Sequence, residues 1–375
     1  MVYLDYSATT PVDKRVIDTY SKVCSDYIGN PNSLHKLGCK SKELIDASVR
    51  QIASILGVLP DEVIFTSGAS EANNLAIKGI CSKYKNRGRH IITTKLEHSS
   101  VSQAISYLES NGFSVDYVNL LDDGTVDLED LDNKITDDTI LVSIVAVNSE
   151  IGIIQPLDKI SEVIRKYPKV YFHSDVTQAI GKLRINLNCV DLASFSAQKF
   201  FGMKGVGCLI KRKKIIIEPL IHGGKSTTIF RSGTPATPLI VSLAKALRLS
   251  YEDFDTKYNK VKKLHDCLIT RLEEFDLYIN SGNNCVPHII NISLKNIKSE
   301  VMLHALEEDD VYVSTQTACS SGGYSLALLA IFSDKDRASS SLRISLSYLT
   351  TKEELDEFLK SFTNNFNRLS SLNKH

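Results

Sequence analysis

The chain has 375 residues, 43% of them hydrophobic, with 44 basic and 44 acidic side chains. That is more apolar material than one core usually organises, so a major domain and a smaller one are expected. A formal net charge of zero excludes a global field that would draw the protein onto nucleic acid or an anionic membrane.

No apolar run approaches the roughly 20 residues needed to cross a bilayer. The opening Met1-Val-Tyr-Leu-Asp-Tyr6 lacks the basic-then-apolar order of a signal peptide. A cytoplasmic location without membrane or nucleic-acid contact is therefore expected. The eight cysteines (24, 39, 81, 189, 208, 267, 285 and 319) are scattered, with no C-x-x-C pair. Neither a metal site nor a disulfide framework is expected, and most should be small buried side chains. The one dense basic run, Lys211-Arg212-Lys213-Lys214, reads as a solvated hairpin or loop.

Along the chain, residues 40–57 carry an amphipathic helical pattern. Short apolar runs follow at 63–66, 90–93, 114–118, 140–147, 170–173, 192–195 and 206–210, with helical patterns between them at 70–84, 99–111 and 157–166. Alternation of this kind predicts a mostly parallel sheet with helices on both faces. The run 140–147 is apolar nearly throughout, as a strand buried on both sides should be. Beyond about residue 240 the texture changes. A helical stretch over 238–275 leads to a strand pattern at 287–294, a helix at 299–308, strands at 311–314 and 342–345, and a last helix at 352–368. The expected division is a large domain over 13–250 and a smaller α+β domain over 251–375, joined by the segment 1–12.

Three segments carry chemistry. Phe65-Thr-Ser-Gly-Ala-Ser-Glu-Ala-Asn-Asn74 leaves a strand, passes a Gly turn and enters a helix, the arrangement that exposes unpaired N–H groups to an anion. His173-Ser-Asp-Val-Thr-Gln178 ends a strand with a carboxylate, where parallel sheets bind ligands. Ser194-Phe-Ser-Ala-Gln-Lys199 sets a lysine in a Gly-punctuated loop after an apolar strand, and a desolvated lysine can form a Schiff base with an aldehyde cofactor. Each has an ordinary structural reading alone. Together they supply a phosphate cradle, an acid for a ring nitrogen and an amine for an aldehyde, the three attachments of pyridoxal 5′-phosphate.

With these segments in order, the chain resembles the class V aminotransferase family of fold type I pyridoxal-phosphate enzymes, and within it the NifS/IscS-like cysteine desulfurases. The resemblance runs from Leu4-Asp-Tyr-Ser-Ala-Thr-Thr-Pro11 and Gly29-Asn-Pro-Asn-Ser-Leu-His35, through Glu97-His98 and Val147-Asn-Ser-Glu-Ile-Gly152, to His222-Gly-Gly224, Arg231-Ser-Gly-Thr234, Ala318-Cys319 and Ser341-Leu-Arg-Ile-Ser345. It implies conversion of L-cysteine to L-alanine. Lys199 would anchor the cofactor and move the Cα proton, Asp175 would pair with the ring nitrogen, and His98 would stack on the ring. Ala69, Ser70, Ser196 and Gln198 would hold the phosphate. Thr234 would reach the phosphate of a second subunit, so a homodimer is implied. Gln178 would contact the phenolate oxygen, and Arg343 the substrate carboxylate. Cys319, in the polar stretch Ser314-Thr-Gln-Thr-Ala-Cys-Ser-Ser-Gly-Gly323, would take the sulfur as a persulfide and pass it to a protein acceptor, with tRNA thiolation one destination. A selenocysteine lyase, another class V activity and an inactive scaffold are the alternatives.

Four positions depart from the family pattern. Ser149 stands where an asparagine contacting the cofactor is usual, and Gln198 where a histidine is usual. Gln316-Thr317 replaces Gly-Ser, and Lys225-Ser226 follows the Gly pair. Serine and glutamine retain hydrogen-bonding capacity, so these read as tuning of the site.

Overall fold

The computed structural model describes residues 1–315 and 324–372. Its strands are β1 (Val2–Tyr3), β2 (Val63–Thr66), β3 (His90–Thr93), β4 (Ser114–Tyr117), β5 (Thr139–Ser143), β6 (Tyr171–Asp175), β7 (Leu192–Ser196), β8 (Gly207–Lys211), β9 (Leu277–Ile279), β10 (Ile289–Leu294), β11 (Val311–Tyr312) and β12 (Ser341–Ser345). The helices that matter below are α1 (Lys14–Asp26), α2 (Lys36–Leu56), α3 (Ala69–Tyr84), α4 (Ser99–Glu109), α5 (Leu128–Lys134), α6 (Leu157–Ile164), α7 (Thr237–Tyr251) and α8 (Phe254–Leu272).

Seven strands form the main sheet in the order β2-β8-β7-β6-β5-β3-β4. Strands β3 to β7 run parallel, while β8 is antiparallel to both β7 and β2. Strands β5, β7 and β8 are buried along their whole length, as expected where helices cover both faces of a sheet. One apolar cluster joins Ile45 and Ile52 of α2 with Phe172, Phe195 and Leu247, and another packs Leu75 and Ile80 of α3 with Ile105 of α4 on the sheet. The mixed α/β architecture with a mostly parallel central sheet is the expected one.

A smaller sheet, β12-β10-β9, is antiparallel. Around it, Val2 and Leu4 of the N-terminal segment pack with residues drawn from 261–369. Strand β1 pairs in parallel with β11, so the start of the chain is tied to its last third. The segment 7–13 then crosses to the main sheet. Thr10 donates from its N–H at 3.0 Å and its hydroxyl at 2.9 Å to Gln198 O, and Asp13 N donates to Phe201 O at 3.0 Å.

Three expectations are corrected. The helical stretch 238–275 is two helices, because Glu252 turns extended and Asp253 adopts a left-handed conformation with φ 51°, which a short polar side chain tolerates better than most. The run 140–147 keeps its ladder only to Ser143; beyond it, Ile144 N and Ala146 N still donate to His173 O and Asp175 O. Lys211 is not solvated: it ends β8 with 1% exposure, donates to Ile215 O at 2.7 Å and lies over the Phe230 ring. The strand alternation turns it inward, and backbone carbonyls satisfy its amine. Its neighbours Arg212 and Lys213 pair with Glu62 and Asp61, so the run holds no block of unpaired charge.

Gly207 marks where the sheet and the loop before α3 come closest. A Cβ there would lie 2.5 Å from Phe195 O and 2.7 Å from Gly68 Cα. Gly207→Ala should lower stability by about 1–3 kcal/mol, the usual scale of overpacking, measured as the denaturant midpoint. An unchanged midpoint would mean that the Gly68 loop yields without cost.

Candidate active site

The C-terminal ends of β6 and β7 lie side by side, with Asp175 in register with Ser194. This end of a parallel sheet is where such folds bind ligands. A cavity of about 470 Å³ opens there, in the range of small-molecule sites. Asp5, Ser70, His98, Asp175, Lys199 and Arg343 are among its walls. Ala69, Ser149, Gln178, Ser196 and Gln198 line it as well.

Helix α3 begins at the cavity. Gly68 is its cap residue and makes no side-chain cap bond, so the first N–H groups lack intrahelical partners. A Cβ on Gly68 would be 3.5 Å from the Ser196 hydroxyl. The helix start and the end of β7 therefore form one wall with Ser70 and Ser196 on it. Glu71 sits beside them. Burial pushes its carboxyl up, but the Arg231 pair at 2.9 Å and the Ser67 N–H at 2.7 Å outweigh that and hold it below the usual range.

Lys199 follows β7 in a single 3-10 turn. Its Nζ donates to Ser7 O at 2.7 Å and to Ala8 O at 2.6 Å. Burial, with Arg343 nearby, pushes its pKa down to about 8. Two carbonyls orient this amine without the full charge of a carboxylate pair, so a reactive neutral fraction exists near neutral pH.

Asp175 is 3% exposed. Its carboxylate accepts from Thr177 N at 2.9 Å and from Asn73 Nδ2 at 2.7 Å. Asn73 Nδ2 also donates to Ser100 Oγ at 2.9 Å, and Ser100 Oγ lies 2.8 Å from His98 Nδ1. His98 caps α4 by accepting the Ser100 N–H on Nδ1 at 3.1 Å. A ring accepting on Nδ1 carries its proton, when neutral, on Nε2. One buried amide therefore ties the acid at the end of β6 to the histidine at the start of α4. The preceding Glu97 braces the same turn, accepting from Thr94 and from Val145 N at 2.8 Å each. Burial outweighs those bonds and raises its pKa to about 8.

Arg343 projects from β12. Its Nη2 pairs with Asp5 at 2.8 Å and its Nη1 donates to Ser149 O at 3.0 Å. Its Nε is buried without a partner among the described residues. Gln178 donates from Nε2 to Ser7 O at 3.0 Å.

The sites expected from the sequence fall into three groups. Lys199, His98, Asp175, Gln178, Arg343, Ala69, Ser70, Ser149, Ser196 and Gln198 share one cavity. Thr234 is exposed and does not line that cavity in the single chain. Cys319, with Gln316 and Thr317, lies outside the described residues. Asn73, Ser100 and Asp5 were not singled out. Asn73 stands three residues after Ser70, so the two share a helix face, and that spacing was the available signal.

Asn73→Ala would strip Asp175 of a short bond in a buried place. Hydrogen bonds to charged groups contribute about 1.5–3 kcal/mol, and a stability loss of that size is expected on denaturant unfolding. A loss within about 0.5 kcal/mol, the range of ordinary surface changes, would show that the bridge carries little.

Comparison with known proteins agrees with this geometry. The family model described as Aminotransferase class-V matches residues 2–358. A NifS/IcsS protein homolog from Lactobacillus delbrueckii subsp. bulgaricus is 38% identical over 100% of this chain and 99% of its own. A cysteine desulfurase IscS from Dictyoglomus turgidum is 39% identical over 95% of this chain and 92% of its own. A solved NifS-like protein superposes with a TM-score of 0.92 at 36% identity, covering 97% of this chain and 98% of the other. Motifs, sheet order and relatives agree across the full length, and the chain belongs to the class V aminotransferase family, among its NifS/IscS-like cysteine desulfurases.

Proposed function

We propose that this chain takes sulfur from L-cysteine, releases L-alanine and carries the sulfur as a persulfide on Cys319, with pyridoxal 5′-phosphate bound in the Lys199 cavity. The observation that carries the reading is the convergence on one cavity of a desolvated lysine, a fixed buried carboxylate and the start of α3.

The residues present fit that cofactor. Unpaired N–H groups at the start of α3, with Ser70, Ser196 and Gln198, suit the phosphate. Asp175 suits a protonated ring nitrogen, because its carboxylate is fixed by two donors and faces no lysine or arginine partner in an ion pair among the described residues. Lys199 Nζ suits the aldehyde. His98 and Ser149 would contact the ring from the cavity wall. When bound, pyridoxal phosphate supplies an electron sink for charge developing at the substrate Cα.

The chain's own residues would do the rest. Arg343 would hold the substrate carboxylate through its guanidinium, with Asp5 giving way on Nη2. Lys199 Nζ, once displaced by the substrate amine, would take the Cα proton. The Cys319 thiolate would attack the substrate sulfur. An S–S bond forms and the C–S bond breaks, with its electron pair left on the carbon side, which is then protonated and leaves as alanine. The added sulfur remains on Cys319 for a protein acceptor, and tRNA thiolation is one pathway it could feed.

The same reading makes the protein a cytoplasmic homodimer in which Thr234, exposed in one chain, reaches the partner's phosphate. It also assigns domains over 13–250 and 251–375, joined by the segment 1–12. Among the described residues, no helix is long and apolar enough to cross a membrane.

Cys319→Ser tests the sulfur step separately from cofactor binding. The variant should keep the visible absorbance of bound cofactor and still bind cysteine. Alanine release should fall roughly a hundredfold or more, because a thiol supplies a few per cent thiolate at neutral pH whereas a serine hydroxyl supplies almost none. Unchanged alanine release from Cys319→Ser would remove the persulfide step.

A further inference from the structure

Lys182 is 6% exposed, does not line that cavity and has no carboxylate within ion-pair distance among the described residues. Burial, then Lys199 and Arg343, push its pKa down to about 7. A lysine in such a place is costly to keep, and nothing proposed so far uses it. Its polar side-chain contact is a short hydrogen bond from Nζ to Gln178 Oε1, one helical turn's spacing earlier in the chain. The other end of the same amide donates from Nε2 to Ser7 O. Ser7 O also accepts from Lys199 Nζ at 2.7 Å.

Chemistry fixes which way this amide points. A backbone carbonyl can only accept, so the end of Gln178 facing Ser7 must be the NH₂. The end facing Lys182 is then the oxygen, and an amine hydrogen satisfies it. An NH₂ group has two hydrogens. Ser7 takes one, and the second remains for a ligand in the cavity that Gln178 lines.

We propose that Lys182 is a positioning residue for the cofactor: by satisfying Gln178 Oε1 it holds the amide with its NH₂ toward the cavity, where the second N–H donates to the ring's phenolate oxygen. The inference rests on the reading of the cavity as a pyridoxal-phosphate site and adds a residue to it. Without Lys182, Oε1 would be a buried acceptor with no donor, a state that costs as much as the amide's other bonds return. The amide would then rotate or withdraw, and the phenolate oxygen would lose its donor.

A double-mutant cycle tests this on the holoenzyme. Pyridoxal-phosphate affinity and the visible absorbance maximum are measured for wild type, Lys182→Met, Gln178→Ala and the double variant. Lys182→Met should weaken cofactor binding about tenfold, the scale of one hydrogen bond to a charged oxygen, and should shift the visible maximum as Gln178→Ala does. In the Gln178→Ala background, Lys182→Met should change neither quantity further. Additive effects in the cycle would overturn the proposal, because Lys182 would then act by charge or packing and not through Gln178. An unaltered Lys182→Met would overturn it too. Should the Met variant fail to fold, Lys182→Ala carries the same cycle with a smaller side chain. Failure of the wild type to bind pyridoxal phosphate is a separate outcome, and it would refute the reading of the cavity itself.

Discussion

Holding the half-buried Lys199 amine in place on backbone carbonyls is the constraint on which the rest of this structure turns. A partly desolvated lysine needs acceptors for its hydrogens, and here they are Ser7 O and Ala8 O. Those carbonyls belong to a segment whose beginning is paired to β11 and whose continuation is bonded to Gln198 and Phe201. The first residues of the chain thus hold the loop after β7 in place while being anchored on the far sheet. Arg343 reaches the same cavity from β12, and its positive charge helps to lower the Lys199 pKa. The lowered Lys199 pKa is therefore a consequence of how the N-terminal segment and β12 meet the loop after β7.

The acidic side of the site is built by a different device. Asp175 receives no ion pair from a lysine or arginine; backbone and amide N–H groups hold it. Such donors fix the carboxylate without pairing it with a positive side chain, which on the proposed reading would leave it free to face a protonated ring nitrogen. Asn73 then uses its second N–H on Ser100, and Ser100 contacts His98. The spacing between acid and histidine is set by one residue in the first turns of α3, the same helix whose start lines the cavity. The three attachments proposed for one cofactor would be held in mutual register because they hang on β6, β7 and α3, which pack on one another.

The sequence revealed some of this plainly. Strands β2 and β3 fall at 63–66 and 90–93 as expected, because every residue in them is buried and mostly apolar, so pattern and structure coincide. The break between α7 and α8 was hidden: Glu252-Asp253 contains neither Gly nor Pro, yet Glu252 is extended and Asp253 left-handed, and the two together interrupt the helix. Lys199, Asp175 and the α3 start were legible because each ends an apolar strand or follows a Gly turn. Their partners were not. Asn73 and Lys182 are polar residues buried by tertiary packing, and neither sits at a strand end or cap that would announce it. Asp5 lies in a motif that was noted, yet its ion pair with Arg343 spans more than three hundred positions, and only the fold brings the two together.

Lys199 in the cavity wall and the buried Lys182 stand close together, and they are assigned different work. The most direct measurement is to load the protein with pyridoxal phosphate, reduce it with borohydride and map the modified peptide by mass spectrometry. A single reduced adduct on Lys199, with Lys182 unmodified, is the predicted result. An adduct on Lys182, or none on either lysine, would contradict the assignment of the site.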